Sequence, residues 1–301
     1  IAKSRRCKYM NIVSLLPSGT EIVAALGRSD SLVAVSHECD HPPEVARLPR
    51  VTSSAIDHTA DAATVDASVR AHVLTRQPLY SVDWDLVASL APDLIVTQAL
   101  CEVCAVSETE CRSQALRLTP APHIATLSAS TLDGVLVDIE GVAHALDDAI
   151  AGRTLIAALR EKIERIHQRL KAAKAPRPRV AVIEWTDPLF IAGHWVPEMI
   201  RRAGGEDVVG IPGSHSTVVT REAIITARPD IVLVAPCGYD VHRAAAVAKE
   251  TNWGVPVWAV DANSLLSRPG PRLIDGVETL AAIFHPALFG APRPDCALPI
   301  S

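Results

Sequence analysis

Residues 36–43 read Ser36-His37-Glu38-Cys39-Asp40-His41-Pro42-Pro43, a run dense in groups that can hold a metal ion or move a proton. His37, Glu38 and His41 fit the HExxH pattern of zinc proteases, whose chemistry needs both His on one helical face with the Glu as base. The flanks argue against that geometry. Residues 32–35 form an apolar run that reads as a strand leading into the motif, and Pro42 biases His41 away from helical dihedrals. Cys101 and Cys104, with Cys111 close behind, are a better metal candidate. Two thiolates at CxxC spacing can grip one Zn or Fe ion, and His37 or Cys39 could complete a tetrahedron. A single CxxC leaves three readings open: inert buried thiols, a metal contact through Cys39, Cys101 and Cys104, or a redox pair at a helix start with a lowered pKa.

A second set is aromatic. Trp185, His194, Trp195, His215 and Tyr239 fall on four stretches of a chain with only five Trp, three Tyr and 4% aromatic residues. Such a concentration suits a broad flat ligand, with ring faces for apolar contact and the His, Gln98 and Arg268 for hydrogen bonds. The alternative is that Trp185 and Trp195 fill the junction with the helix expected at 147–175. Arg268 and Arg272 bracket Pro269 and Pro271 at a helix entrance, where free backbone donors and a guanidinium could hold an anionic group. Proline in a first helical turn is also ordinary punctuation. No G-x-S-x-G elbow, G-x-x-x-x-G-K-[ST] loop or G-x-G-x-x-G occurs, so esterase, nucleotide hydrolase and dinucleotide oxidoreductase readings lack their local chemistry.

The elements that must position these groups alternate strand and helix. Apolar runs at 12–16, 32–35, 94–96 and 123–127 read as strands, with helical patterns at 20–26, 84–90 and 131–146 between them. From 147 to 175 there is only helical spacing, through Ile150, Leu155, Ile156, Leu159, Ile163, Ile166 and Leu170. Pro176 and Pro178 end it, and strands resume at 180–184, 231–234 and 257–260. Residues 85–96 also align without a gap on 222–233, a constant offset of 137, each copy running helix, Pro-Asp, buried strand. The expected fold is therefore α/β, two Rossmann-like lobes with parallel sheets joined by one long connecting α-helix. The expected divisions are a basic extension 1–10, lobes 11–146 and 176–290, helix 147–175 and tail 291–301. A ligand would sit in the cleft between lobes, fed by loops at the strand carboxyl ends: Pro17 and Ser18 after the first strand, His37 and Glu38 after the second, Gln98 after the third.

Composition narrows the classes. In 301 residues, 49% are hydrophobic and Lys+Arg 29 against Asp+Glu 34 leaves a net charge of -5, which excludes a disordered chain and a basic nucleic-acid binder. No apolar run approaches the roughly 18 residues needed to span a bilayer. Seven Cys, an odd number, suit reduced thiols. The basic start (Lys3, Arg5, Arg6, Lys8) runs into residues 11–16 without a signal-peptide core, which favours the cytoplasm, or the periplasm if a signal lies upstream; Met10 is a candidate initiator.

Together these segments resemble the vitamin B12 (cobalamin) binding proteins of ABC transporters, within the helical-backbone class III periplasmic-binding-protein superfamily that also carries siderophores, haem and metal ions. The resemblance spans residues 11–286. It rests on Ser14-Leu-Leu-Pro17-Ser-Gly-Thr20-Glu21, Val35-Ser36 followed by Asp40-His41-Pro42-Pro43, Pro92-Asp93-Leu-Ile-Val96, Gly204-Gly205, and Ser267-Arg268-Pro-Gly-Pro271-Arg272.

The resemblance implies non-catalytic binding of cobalamin or a related corrinoid by a monomer, as substrate-binding component of an ABC importer or as a soluble carrier. Arg268 would face the ligand, and Asp85 and Glu222 would dock the permease. Alternatively those two carboxylates only favour the dipoles of their helices. The chain departs from exported members in lacking a signal peptide or lipoprotein cysteine and in being richer in Cys and His. A different class of function stays open on those residues: a cytoplasmic metalloenzyme with Zn or Fe on His37, Cys39, Cys101 and Cys104.

Overall fold

The computed structural model describes residues 10–99 and 108–300. The chain divides into two compact units. One holds the segments up to residue 59, 68–128 and 137–155; the other holds 60–67, 129–136 and the chain from residue 156 onward.

The elements of the first half are β1 (Ile12–Ser14), α1 (Pro17–Ala25), β2 (Leu32–Val35), β3 (Thr52–Ser54), α2 (Ala62–Thr75), β4 (Tyr80–Val82), α3 (Trp84–Ser89), β5 (Leu94–Gln98), α4 (Glu108–Ala115), β6 (His123–Leu127), α5 (Leu132–Ala145) and α6 (Ala149–Ala173). β2, β1, β5 and β6 form a parallel four-stranded sheet in that order. Every residue of β1 and β5 is buried, the pattern of a parallel sheet covered on both faces. Gly19 lets α1 approach that sheet, since a Cβ there would stand 2.7 Å from Val96 Cγ1 and 2.9 Å from Ser14 Oγ. β3 and β4 pair antiparallel in a separate ribbon, with Thr52 opposite Val82 and Ser54 opposite Tyr80.

The second half adds β7 (Arg179–Thr186), β8 (Leu189–Ile191), α7 (Val196–Arg202), β9 (Glu206–Asp207), β10 (Thr217–Val218), α8 (Arg221–Thr226), β11 (Ile231–Val234), α9 (Val241–Ala248), β12 (Val257–Val260), α10 (Ala262–Leu265), α11 (Leu273–Phe284), α12 (Pro286–Phe289) and β13 (Ala297–Pro299). They build a seven-stranded sheet ordered β10-β8-β7-β11-β12-β13, with β9 also on β7. Its centre, β7, β11 and β12, is parallel, as the sequence predicts. Antiparallel strands extend both edges, β8 on β7 and β13 on β12; at three residues each they carry too little periodicity to be read from sequence. Gly276 brings α11 against α10, where a Cβ would overlap the Leu265 carbonyl and stand 2.7 Å from Met199 Cε.

The long helix exists as expected, two residues shorter at each end. Asp147 (φ 54°) and Lys174 (φ 47°) leave helical geometry, and Asp148 fixes the start by accepting from the Ala151 amide at 3.1 Å. Most of its apolar stripe is the predicted one: Ile156, Leu159, Ile163 and Ile166 are buried and Leu155 and Leu170 half-buried, whereas Ile150, in the first turn, is 71% exposed. The repeat also holds in detail. α8 lies 137 positions after α3 and β11 the same distance after β5. Both helices are capped by a side chain, Asp83 accepting from Leu86 at 2.9 Å and Thr220 from Ala223 at 3.2 Å.

Candidate functional site

In the first unit the run 36–41 is a turn between β2 and a 3-10 segment, Pro43–Arg47, so no helical face carries His37 and His41 and the zinc-protease geometry is absent. His37 is placed by β3. Its backbone N–H donates to Thr52 Oγ1 at 3.0 Å, and its Nδ1 lies 2.7 Å from the same hydroxyl. Burial, with smaller contributions from His58 and Arg50, holds the His37 imidazole below its usual pKa against the pull of Glu38. It is therefore neutral at physiological pH. Ligand atoms of His37, Glu38 and His58 all lie within 4.8 Å of one another. His58 lies 21 positions after His37 in sequence, and the loop after β3 brings it back to residues 37 and 38.

Cys39 turns away from that group. It is buried, with Sγ 3.1 Å from Thr20 Oγ1 and 3.3 Å from Ser36 Oγ, and serves the packing of α1 on the turn. Cys111 is fully buried and its thiol is pushed up to about 11 by desolvation, which keeps it protonated. Cys101 and Cys104 lie outside the described residues. Pro17 opens α1 and Ser18 and Gln98 are buried beside the sheet, Gln98 as the last residue of β5.

In the second unit Trp185 and Tyr239 meet edge to face, ring centroids 5.7 Å apart. The Arg243 guanidinium lies over the Tyr239 ring, 3.7 Å from its centroid. Both are tied to one stretch of backbone, Trp185 Nε1 donating to Ala62 O at 3.1 Å and Arg243 to Ala60 O at 2.8 Å. Arg243 was missed in sequence; its signal was the spacing of four from Tyr239 into a helix capped by Asp240. Trp185 is half-buried, while Tyr239 is 3% exposed. Trp195 does not join them. It is 5% exposed and its indole N–H donates to Leu266 O at 2.7 Å, the signature of a core residue.

His194 stacks against Trp195 and places Nε2 3.2 Å from His215 Nδ1. The two loops are laced by His194 N to Ser214 O at 2.6 Å and Gly213 N to His194 O at 2.9 Å. Gly193 makes this possible, because a Cβ there would overlap the Ser214 carbonyl. Burial first, then His215, lowers the His194 pKa. Next to it Ser216 Oγ donates to Glu184 at 2.8 Å. Arg268 is buried, donating to Asn263 Oδ1 at 2.9 Å, so its guanidinium is at least partly engaged within the unit. Asp85 and Glu222 are both exposed in the first turns of α3 and α8.

Among the described residues no helix is long and apolar enough to cross a membrane. The chain is 25% identical to the uncharacterized ABC transporter substrate-binding lipoprotein YvrC of Bacillus subtilis, over 92% of this chain and 81% of that one. It is 23% identical to the vitamin B12-binding protein of Vibrio cholerae, over 89% and 86%. In structure it superposes on a periplasmic heme binding protein from Pseudomonas aeruginosa with a TM-score of 0.71 at 20% identity, covering 97% of this chain and 98% of that one. A two-unit α/β frame of this kind, matched at residues 12–253 by the family model described as periplasmic binding protein, makes the chain a member of that family.

Proposed function

We propose that the chain is the non-catalytic substrate-binding component of an ABC importer and that its ligand is cobalamin or a related corrinoid. The observation that carries this reading is the near full-length likeness to vitamin B12-binding proteins. Chemistry supports it. Trp185, backed by Tyr239 and Arg243, offers an apolar ring edge of fixed orientation, and neutral His37, His194 and exposed His215 offer hydrogen bonds suited to an amide-fringed macrocycle. Ligand contact is assigned to Pro17, His37, Glu38, Trp185, His194 and His215. Buried Ser18, Gln98, Trp195, Tyr239 and Arg268 support those groups. Asp85 and Glu222 are proposed to dock the permease; their equivalent, exposed placement in the repeat supports this.

Haem is the second reading, favoured by the likeness to a heme-binding structure. Titration of the purified chain with cyanocobalamin and with haemin, followed by visible absorbance and calorimetry, tests both. One-to-one binding of cobalamin at micromolar affinity or better is expected. Haemin bound tightly with no cobalamin affinity overturns the first reading in favour of the second.

A further inference from the structure

We propose that His37, Glu38 and His58 form a binding site for one divalent transition-metal ion of the zinc class. Two imidazoles and a carboxylate are the ligand set of open zinc sites, with a position left for water or an outside donor, and of two-His-one-carboxylate iron sites. The three ligand atoms already lie within 4.8 Å of one another. Bonds of about 2.0–2.2 Å in a tetrahedron bring donors to about 3.4 Å. Closing that difference asks only side-chain rotation of half-buried Glu38 and exposed His58.

Both rings are already held from behind. Thr52 and Ser54 are alternate residues on one face of β3. The Thr52 hydroxyl lies 2.7 Å from His37 Nδ1, and the Ser54 hydroxyl, which accepts the Ile56 amide at 3.0 Å, lies 3.0 Å from His58 Nε2. A hydroxyl or carbonyl behind each imidazole is how ligating His are oriented and their tautomer fixed. With Nδ1 engaged, His37 presents Nε2, which is buried and has no hydrogen-bond partner among the described residues. A nitrogen in that state is the donor a metal ion would complete. Cys39 takes no part, since its thiol sits with Thr20 and Ser36.

The site shares His37 and Glu38 with the ligand contacts proposed above, yet it does not rest on the corrinoid reading: either can hold while the other fails. The metal-stripped full chain is titrated calorimetrically with Zn²⁺ and with Co²⁺, and the Co²⁺ complex is read by absorbance. One ion per chain is expected, with no thiolate-to-cobalt charge transfer. His58→Ala, an exposed change that leaves the core intact, and Glu38→Gln are each expected to weaken binding by about tenfold or more. A Cys101→Ser/Cys104→Ser double variant is expected to bind as the parent does. No binding, full affinity in His58→Ala, or loss of binding in the double Cys variant overturns the proposal; cobalamin titration of the parent and of His58→Ala, which carries no proposed ligand contact, reports separately on the transport reading.

Discussion

Asp93 and Asp230 form the same clamp in the two halves of the chain. The Asp93 carboxylate accepts the Asn11 amide at 3.0 Å while its own amide donates to Asn11 O at 2.8 Å. Asp230 makes the same pair of bonds with Arg179, at 2.8 and 2.7 Å. Each joins the start of one strand, Asn11 just ahead of β1 or Arg179 as the first residue of β7, to the residue just ahead of its parallel neighbour, and each Asp comes two residues after one in left-handed conformation, Ala91 (φ 43°) or Arg228 (φ 50°). Removing the carboxylate leaves a strand-leading amide without its partner. Asp93→Ala is expected to cost about 1–3 kcal/mol and Asp230→Ala, more exposed, about 1 kcal/mol, with Asn largely rescuing both because its amide oxygen still accepts. Urea unfolding with a common slope measures this; a neutral Asp93→Ala would show that the clamp contributes nothing.

Trp185 and Trp195 separate on burial and partner. Trp195→Ala should destabilise by about 3–5 kcal/mol, and Trp195→Phe by about 1–3 kcal/mol through the unpaired Leu266 carbonyl. Trp185→Ala removes a half-buried ring and should cost less stability while weakening ligand binding. Thermal melts paired with cobalamin and haemin titrations decide. Equal stability losses in the two variants, with ligand affinity untouched, would make both tryptophans core.

What could be read from the sequence was local. The 137-residue offset was visible because Pro92-Asp93 and Pro229-Asp230 each sit between a short helix and an apolar strand, and the long helix was visible because Ile156, Leu159, Ile163 and Ile166 mark one face. The fate of the candidate site residues was not local. Nothing near Trp195 in sequence announces Leu266, 71 positions on, and nothing near His37 announces His58, which reaches it through β3. β3 itself reads Thr-Ser-Ser, polar enough to pass for a loop, and is a strand because it pairs with β4.

Gly193 tests how the His194 and His215 loops are built. Any Cβ at this position collides with backbone of residue 214 and stands 2.7 Å from Ser216 N, so neither rotamer changes nor a flexible neighbour can relieve it. Gly193→Ala should break the bond from His194 to Ser214, separate the two imidazoles and cost about 1–3 kcal/mol. In NMR spectra the His194 and His215 ring signals should lose their mutual perturbation, whereas Gly213→Ala, whose nearest contact is 3.5 Å away, should strain the backbone at φ 74° without that collision. Unchanged imidazole signals in Gly193→Ala would show that the loop approach is not set by the missing Cβ.

Asp207 carries the clearest pH dependence. Its Oδ1 accepts from Val209 and Gly210 at 2.9 and 2.7 Å, but Oδ2 is buried with no partner among the described residues. Burial therefore raises its pKa above the usual carboxylate value despite both hydrogen bonds. The folded state then holds its proton more tightly than the unfolded chain. The associated stability is fully present below the unfolded value of 3.8 and is lost as pH rises through the higher folded pKa. At neutral pH the buried charge is a standing cost. Asp207→Asn keeps the acceptor toward Val209 and Gly210 and removes the charge, while its new N–H₂ faces the side of Gly210 where the Ala192 carbonyl also lies. The variant should melt about 2–4 °C above the parent at neutral pH, about 1 kcal/mol for a domain of this size, and that advantage should shrink steadily as pH falls toward the unfolded carboxylate range. A variant less stable than the parent at neutral pH, or a difference independent of pH, would mean that Oδ2 finds a compensating donor and that Asp207 is a stabilising charge.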